Sequence, residues 1–278
     1  MLDAVTLAVA AVLCFLVALL YSNLGLGGGL LFVPILLSLG VAAQYGLSQM
    51  KILVPISLTL TVATALAAIL THGRRGLLDR ATAGVLLGGA LLGTVAGTAV
   101  NVLLLSREAF VAFFTAVLIA FGLLMLREKL RNDGGGERDD DARYTPGRKA
   151  AASAASVGSG FLSGASGVGG GLVNVPIMTL ILGRQTRKAL GSSHLVIAPV
   201  AALGFALTLL LNASVGLPVL PPEFLAIPVL FPLVFLGGYI GSSVGLARLK
   251  TRWVTLIFIA VVFLTAAKLL VVDLLRWA

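Results

Sequence analysis

Ten apolar runs follow one another along the chain, at roughly 4 to 22, 28 to 40, 49 to 71, 81 to 105, 109 to 126, 150 to 166, 170 to 182, 190 to 212, 224 to 247 and 253 to 272. Most of these runs are as long as the 17 to 25 residues an α-helix needs to cross about 30 Å of hydrocarbon. Inside lipid every backbone N–H and C=O must find its partner within the protein, so the runs are predicted to be helices and the fold all-α. One break differs from the others. Arg127 to Lys149 carries seven basic and six acidic residues together with Gly134, Gly135 and Gly136, the composition of a solvated, flexible linker. It separates a first membrane repeat, 1–126, from a second, 150–278, with 127–149 between them.

The two repeats resemble each other. Gly25-Leu-Gly-Gly-Gly-Leu-Leu-Phe-Val-Pro34 lies 142 residues before Gly167-Val-Gly-Gly-Gly-Leu-Val-Asn-Val-Pro176. Beyond that the offset becomes 144, pairing Leu47-Ser-Gln49 with Gly191-Ser-Ser193, Pro55 with Pro199, and Gly93-Thr-Val-Ala-Gly97 with Gly237-Gly-Tyr-Ile-Gly241. Five segments per half is an odd number of side changes, so the second copy is predicted to be inverted. Charge agrees: with the N-terminus outside, Arg74, Arg75, Arg80, the linker, Arg184, Arg187, Lys188, Arg248, Lys250 and Arg252 all fall on the cytoplasmic side. That asymmetry follows the positive-inside rule and places both termini outside a multi-pass protein of the cytoplasmic (inner) membrane. Inverted repeats point to a secondary transporter with its site near the midplane.

Composition narrows the classes further. Hydrophobic residues make up 59% of the chain and charged ones 11%, against about 25% charged in soluble domains, so the partner surface is a lipid bilayer. The net charge of +9 is spread in short bursts between apolar runs and forms no nucleic-acid interface. Cys14 is the only cysteine, which removes internal disulfides and thiol-rich metal sites. Two histidines far apart in sequence, with no nucleophile–base or metal-ligand spacing, give no catalytic residue, no metal site, no cofactor and no enzyme.

Candidate chemistry sits at the glycine-rich breaks. The second segment of each half is too short to span comfortably, so the first two segments form either a spanning hairpin or a re-entrant pair. At such a turn Gly27, Gly28 and Gly29, or Gly169, Gly170 and Gly171, expose backbone N–H groups beside a helix start, and Pro34 and Pro176 near those starts need no N–H partner. Two inverted turns entering from opposite sides could converge on one anion; the alternative is that the glycines only permit close helix packing. Gln49 and Lys51 in the first half, and Ser192, Ser193 and His194 in the second, begin the next helices and are candidate donors, against capping for the serines and snorkelling for Lys51. Asn23, Ser163, Ser166 and Asn174 flank the turns. Gly89, Gly93 and Gly97, like Gly237, Gly241 and Gly245, form four-residue ladders predicted to be packing seams, and His72 is expected at the interface.

The duplicated Gly-rich and Val-Pro signatures at 25–34 and 166–176, followed by Lys188-Ala-Leu-Gly-Ser-Ser193 and Gly237-Gly-Tyr-Ile-Gly241, resemble the TauE/SafE sulfite exporter family over nearly the whole chain. The resemblance implies a polytopic inner-membrane transporter of sulfite, or of an organosulfonate such as sulfoacetate, by alternating access. A passive small-anion channel is the alternative, and a coupling proton or cation is left open. The family's Thr-Ser pair after each hairpin stands here as Ser192-Ser193 in the second half but as Ser48-Gln49 in the first.

Overall fold

The computed structural model of the chain describes residues 3–22, 25, 27–131, 139–218, 220–248, 260, 262–269 and 271. All of the regular structure among them is helical. The elements are α1 (Ala4–Tyr21), α2 (Gly29–Ser38), α3 (Gln49–Arg74), α4 (Arg80–Ala99, widened into a π turn to Leu104), α5 (Arg107–Arg131), α6 (Pro146–Ser166), α7 (Gly171–Pro176, continued as a π turn to Ile181), α8 (Thr186–Ser214) and α9 (Ile227–Arg248). Each matches one of the first nine apolar runs to within about a turn; the tenth run lies largely outside the described residues and is helical at 262–268.

Five of these helical stretches, Ala4–Tyr21, Gln49–Arg74, Arg80–Leu104, Thr186–Ser214 and Pro222–Val244, are long and apolar enough to cross a membrane. Their outward faces carry large apolar side chains such as Leu92, Leu104, Leu210 and Leu225, each at least 70% exposed. A surface of that kind is stable against lipid and not against water. The protein is therefore an integral membrane protein.

The helix order in space follows from small residues. α3 and α8 pack against each other at the centre; α4 lies on α6 and α8, and α9 on α1 and α3. On the α4–α6 seam a Cβ added at Gly93 would sit 1.9 Å from Val157 O, and one at Gly97 2.1 Å from Phe161 O. On the α1–α9 seam a Cβ at Gly237 would meet Phe15 O at 2.6 Å, and one at Gly241 would meet Leu19 O at 2.0 Å. These contacts correspond pair by pair through the same offsets, 144 for the glycines and 142 for the carbonyls they face. The glycine ladders therefore set backbone-to-backbone approach, where van der Waals contact substitutes for the hydrophobic drive that lipid cannot provide.

One sequence expectation is corrected by the structure. Pro34 lies inside α2, past the first turn, so it breaks a bond that the helix would otherwise make; Pro176 ends α7, and the chain widens there into the π turn, as expected where a helical N–H is missing. Helical structure reaches into both ends of the polar segment. α5 runs on to Arg131 and α6 starts at Pro146, with Thr145 accepting from the Arg148 amide. Between them Asp139 pairs with Lys188 and accepts from the Gln185 amide, and Arg184 bridges Asp79 at 3.3 Å and Asp141 at 2.9 Å. Burial opposes the charge on Asp139, but those donors outweigh it and hold its carboxyl below the ordinary value. Opposite charge across the α7–α8 loop thus docks a segment that looks fully solvated in sequence.

The seam geometry sets a stability test. Gly93→Ala should cost about 1–3 kcal/mol through backbone overlap, whereas Gly88→Ala, whose added Cβ meets nothing within 4 Å, should leave thermal unfolding in detergent unchanged. Equal melting of the two variants would contradict close packing at α4–α6.

Candidate functional site

After α1 the chain turns back on itself through Gly25, Gly27 and Gly28, whose φ values are 68°, 73° and 83°, and α2 begins at Gly29. After α6 the same left-handed pattern recurs at Gly167, Gly169 and Gly170, with φ of 77°, 87° and 74°, before α7 begins at Gly171. Only glycine adopts three such positions without strain. Space is equally restrictive. A Cβ at Gly27 would stand 2.9 Å from both Thr61 Cγ2 and Ile197 Cγ2, and one at Gly169 would stand 2.5 Å and 3.2 Å from the same two atoms. The two turns therefore close on one pair of side chains, halfway along α3 and in the middle of α8.

The turns also touch one another. A Cβ at Gly29 would lie 2.4 Å from Gly167 O, and Ser57 Oγ donates to Gly167 O at 3.0 Å. Among the described residues the amides of Gly28, Gly29, Gly170 and Gly171 donate to no protein acceptor, which is the usual state of the first N–H groups of a helix. Thr61 Oγ1 and Asn174 Nδ2 are buried there without partners among the described residues. Such groups are costly to leave unpaired in a medium without water. Thr61 faces Gly27 and Gly169 with its methyl Cγ2, and Asn174 sits beside Ser159 and Gly170; hydroxyl, side-chain amide and helix-start N–H groups are the donor types that bind anions.

The residues singled out in sequence divide into three groups. The six glycines and Asn174 belong to the turns; Ser159 Oγ lies 2.8 Å from Gly170 O and 2.6 Å from Asn174 Oδ1, fixing the start of α7. Ser193 and His194 adjoin the first turn. Ser193 Oγ is 2.8 Å from both Gly25 O and Leu190 O, so it anchors the turn, and His194 Nε2 lies 3.3 Å from Ser22 O. Ser166 bonds back to Leu162 O, and Ser192 Oγ accepts from the Asp79 amide at 2.7 Å; both are committed to local structure. Gln49 and Lys51 are not brought to the meeting point. Thr61 is ten residues beyond Lys51, about 15 Å along the helix, and Gln49 Nε2 donates to Val41 O at 2.8 Å. Asn23 lies outside the described residues.

Ser57, Thr61 and Ser159 carry no sequence signal, being single hydroxyls within apolar or small-residue runs whose spacing forms no motif. The surroundings of His72 were not legible either: the ring is 1% exposed and stacks on His194 at 5.9 Å, with both Nε2 atoms 3.3 Å from Ser22 O. The pairing is formed by the end of α3 and the start of α8, 122 residues apart in the chain, so sequence proximity could not reveal it.

A protein-family model described as the sulfite exporter TauE/SafE matches residues 10–269. Among curated proteins and among solved structures, none matches the chain.

The unpaired and paired hydroxyls should behave oppositely on removal. Ser57→Ala, which leaves a buried carbonyl short of a donor, should lower stability by about 1–3 kcal/mol. Thr61→Val, which removes a buried group that has no partner, should leave stability unchanged or higher. Chemical or thermal unfolding of the two purified variants checks this, and a larger loss for Thr61→Val would show that its hydroxyl is already bonded.

Proposed function

The chain belongs to the sulfite exporter TauE/SafE family, a family of membrane anion exporters, and from that premise we propose that it is a secondary transporter. It carries sulfite, or a small organosulfonate such as sulfoacetate, across the cytoplasmic membrane by alternating access. The observation that supports this most strongly is the closure of both glycine turns on Thr61 and Ile197.

In this account the amides of Gly28, Gly29, Gly170 and Gly171, the Thr61 hydroxyl and the Asn174 side-chain amide receive the oxyanion. All of these donors are neutral. Helix starts favour negative charge through their dipoles, and a site without a fixed cation binds a small anion without trapping it. Release is as necessary to a carrier as capture. Ser57, Ser159 and Ser193 hold the turns from behind by occupying the turn carbonyls, which leaves the amide faces for the ligand.

The repeated seam contacts support a two-fold relation in which the halves are inverted, with one turn reached from each side of the membrane. Rocking of the halves about the α3–α8 contact would then expose the same donors alternately. The basic residues of the α3–α4 and α7–α8 connections favour a cytoplasmic linker and extracytoplasmic termini. Cysteines placed at Asp3 and Gly135 in a Cys14→Ala background should react oppositely with an impermeant thiol reagent applied from outside; equal labelling would reverse the topology.

Function is tested by ligand-dependent stabilisation, since a ligand that binds only the folded state must raise its melting temperature. Among sulfite, sulfate, sulfoacetate, taurine and acetate, sulfite or sulfoacetate should stabilise the purified protein most. Thr61→Val should weaken that effect about tenfold in concentration, the loss of one hydrogen bond to a charged group. In proteoliposomes the flux should saturate. Flux linear in concentration would instead assign a channel, and full ligand response in Thr61→Val would remove the turn junction from the site.

A further inference from the structure

His72 and His194 form a cluster that anion binding by the turns does not use. Both rings are buried, at 1% and 0% exposure. They stack with 5.9 Å between centroids and 15° between planes, and each Nε2 lies 3.3 Å from the same atom, Ser22 O. Neither Nδ1 has a partner among the described residues. The cluster adjoins the first turn directly, because Ser22 ends α1, Gly25 follows, and Ser193 beside His194 holds Gly25 O at 2.8 Å.

With their protons on Nε2, both imidazoles donate to the two lone pairs of one carbonyl. That arrangement is complete on the Ser22 side and incomplete on the other, where two Nδ1 lone pairs are buried with no donor. A proton can be taken up at either Nδ1. It cannot be taken up comfortably at both, since two imidazolium rings in contact repel. Among the described residues the surroundings offer no counter-charge of their own. From α3 the facing charges are Arg74 and Arg75, whose guanidiniums are tied to Tyr239 Oη and to Ser242 O and Ser243 O on α9; α1 presents Tyr21, and α8 presents Ser192 and Ser193. The nearest carboxylate in the adjoining loop, Asp79, is engaged by Arg184 and Thr82. A protonated pair would therefore be a buried cation, and its candidate counter-ion is the anion at the turn junction, reached through His194, which stands three residues or about 4.5 Å along α8 from Ile197.

We infer that His72 and His194 together bind one proton, taken from water, and that it is bound jointly with the transported anion, making transport proton-coupled. The inference rests on the transporter function proposed above. Linkage makes the effect reciprocal: the anion raises proton occupancy, and the proton raises anion affinity. One linked proton changes affinity by up to about tenfold per pH unit. The pair also breaks the symmetry of the halves, because Met50 occupies the position in α3 equivalent to His194. Proton binding is thus assigned to one turn only.

These are the only two histidines in the sequence, so full-length protein labelled with 15N-histidine and carrying a histidine-free affinity tag reports on this cluster alone. At pH 7 and without ligand both rings should give neutral imidazole signals. Saturating sulfite, with binding verified by thermal shift, should convert one ring to imidazolium. Two rings that stay neutral while sulfite is bound would overturn proton coupling and leave the transporter proposal standing. No sulfite binding at any pH would overturn both. The second measurement uses His194→Gln and His72→Gln, which keep a donor for Ser22 O but cannot be protonated. Sulfite itself titrates in this range, so the quantity read is the ratio of wild-type to variant affinity. That ratio should fall at least tenfold between pH 6 and pH 8, whereas a constant ratio would make the histidines positioning residues only.

Discussion

Backbone polarity inside a lipid-facing bundle is the constraint on which the rest of this structure depends. A helix that begins inside a packed bundle presents N–H groups that neither water nor a preceding turn can satisfy. Here two such starts, at Gly29 and Gly171, lie side by side with their glycine turns against Thr61 and Ile197. The protein satisfies the carbonyls of these turns with serine hydroxyls at Ser57, Ser159 and Ser193. It leaves the amides open. On the reading proposed above, that division separates what is held rigid from what binds the anion.

Holding two breaks together requires the surrounding helices to approach closely, and the small-residue seams provide this. Gly93 and Gly97 let α4 approach α6, and Gly237 and Gly241 let α9 approach α1, each at distances that no side chain would permit. The same four helices flank the central α3 and α8 from both sides. The polar residues break the symmetry of the two halves. Ser193 anchors the first turn directly, whereas its counterpart Gln49 bonds to Val41 O and Ser57 serves the second turn instead. The histidine pair likewise is not repeated, since Gly216 and Met50 stand at the positions equivalent to His72 and His194. A duplicated scaffold with unlike polar fittings suits a carrier whose two faces meet different conditions.

Much of the fold was legible because its causes are periodic or local. Apolar run length placed the first nine helices, and the duplicated glycine pattern located both turns and both seams. What could not be read depends on contacts between distant residues. Thr61 and Ser57 are ordinary hydroxyls in an apolar run until two turns close on them. His72 and His194 meet only because the end of α3 lies against the start of α8. Lys51 and Gln49 looked promising through their register with Ser193, yet a helix carries them about 15–18 Å from Thr61. The docking of Asp139 and Asp141 was hidden for a similar reason, since their partners Lys188 and Arg184 lie beyond two further helices.

The central claim is that the two turns make one anion site and not two. Titration calorimetry of sulfite into the purified protein measures this directly through stoichiometry. One anion per chain is expected, with binding eliminated by either Gly28→Ala or Gly170→Ala in protein that stays monodisperse. Two anions per chain, or one that persists when a single turn is altered, would contradict a shared site.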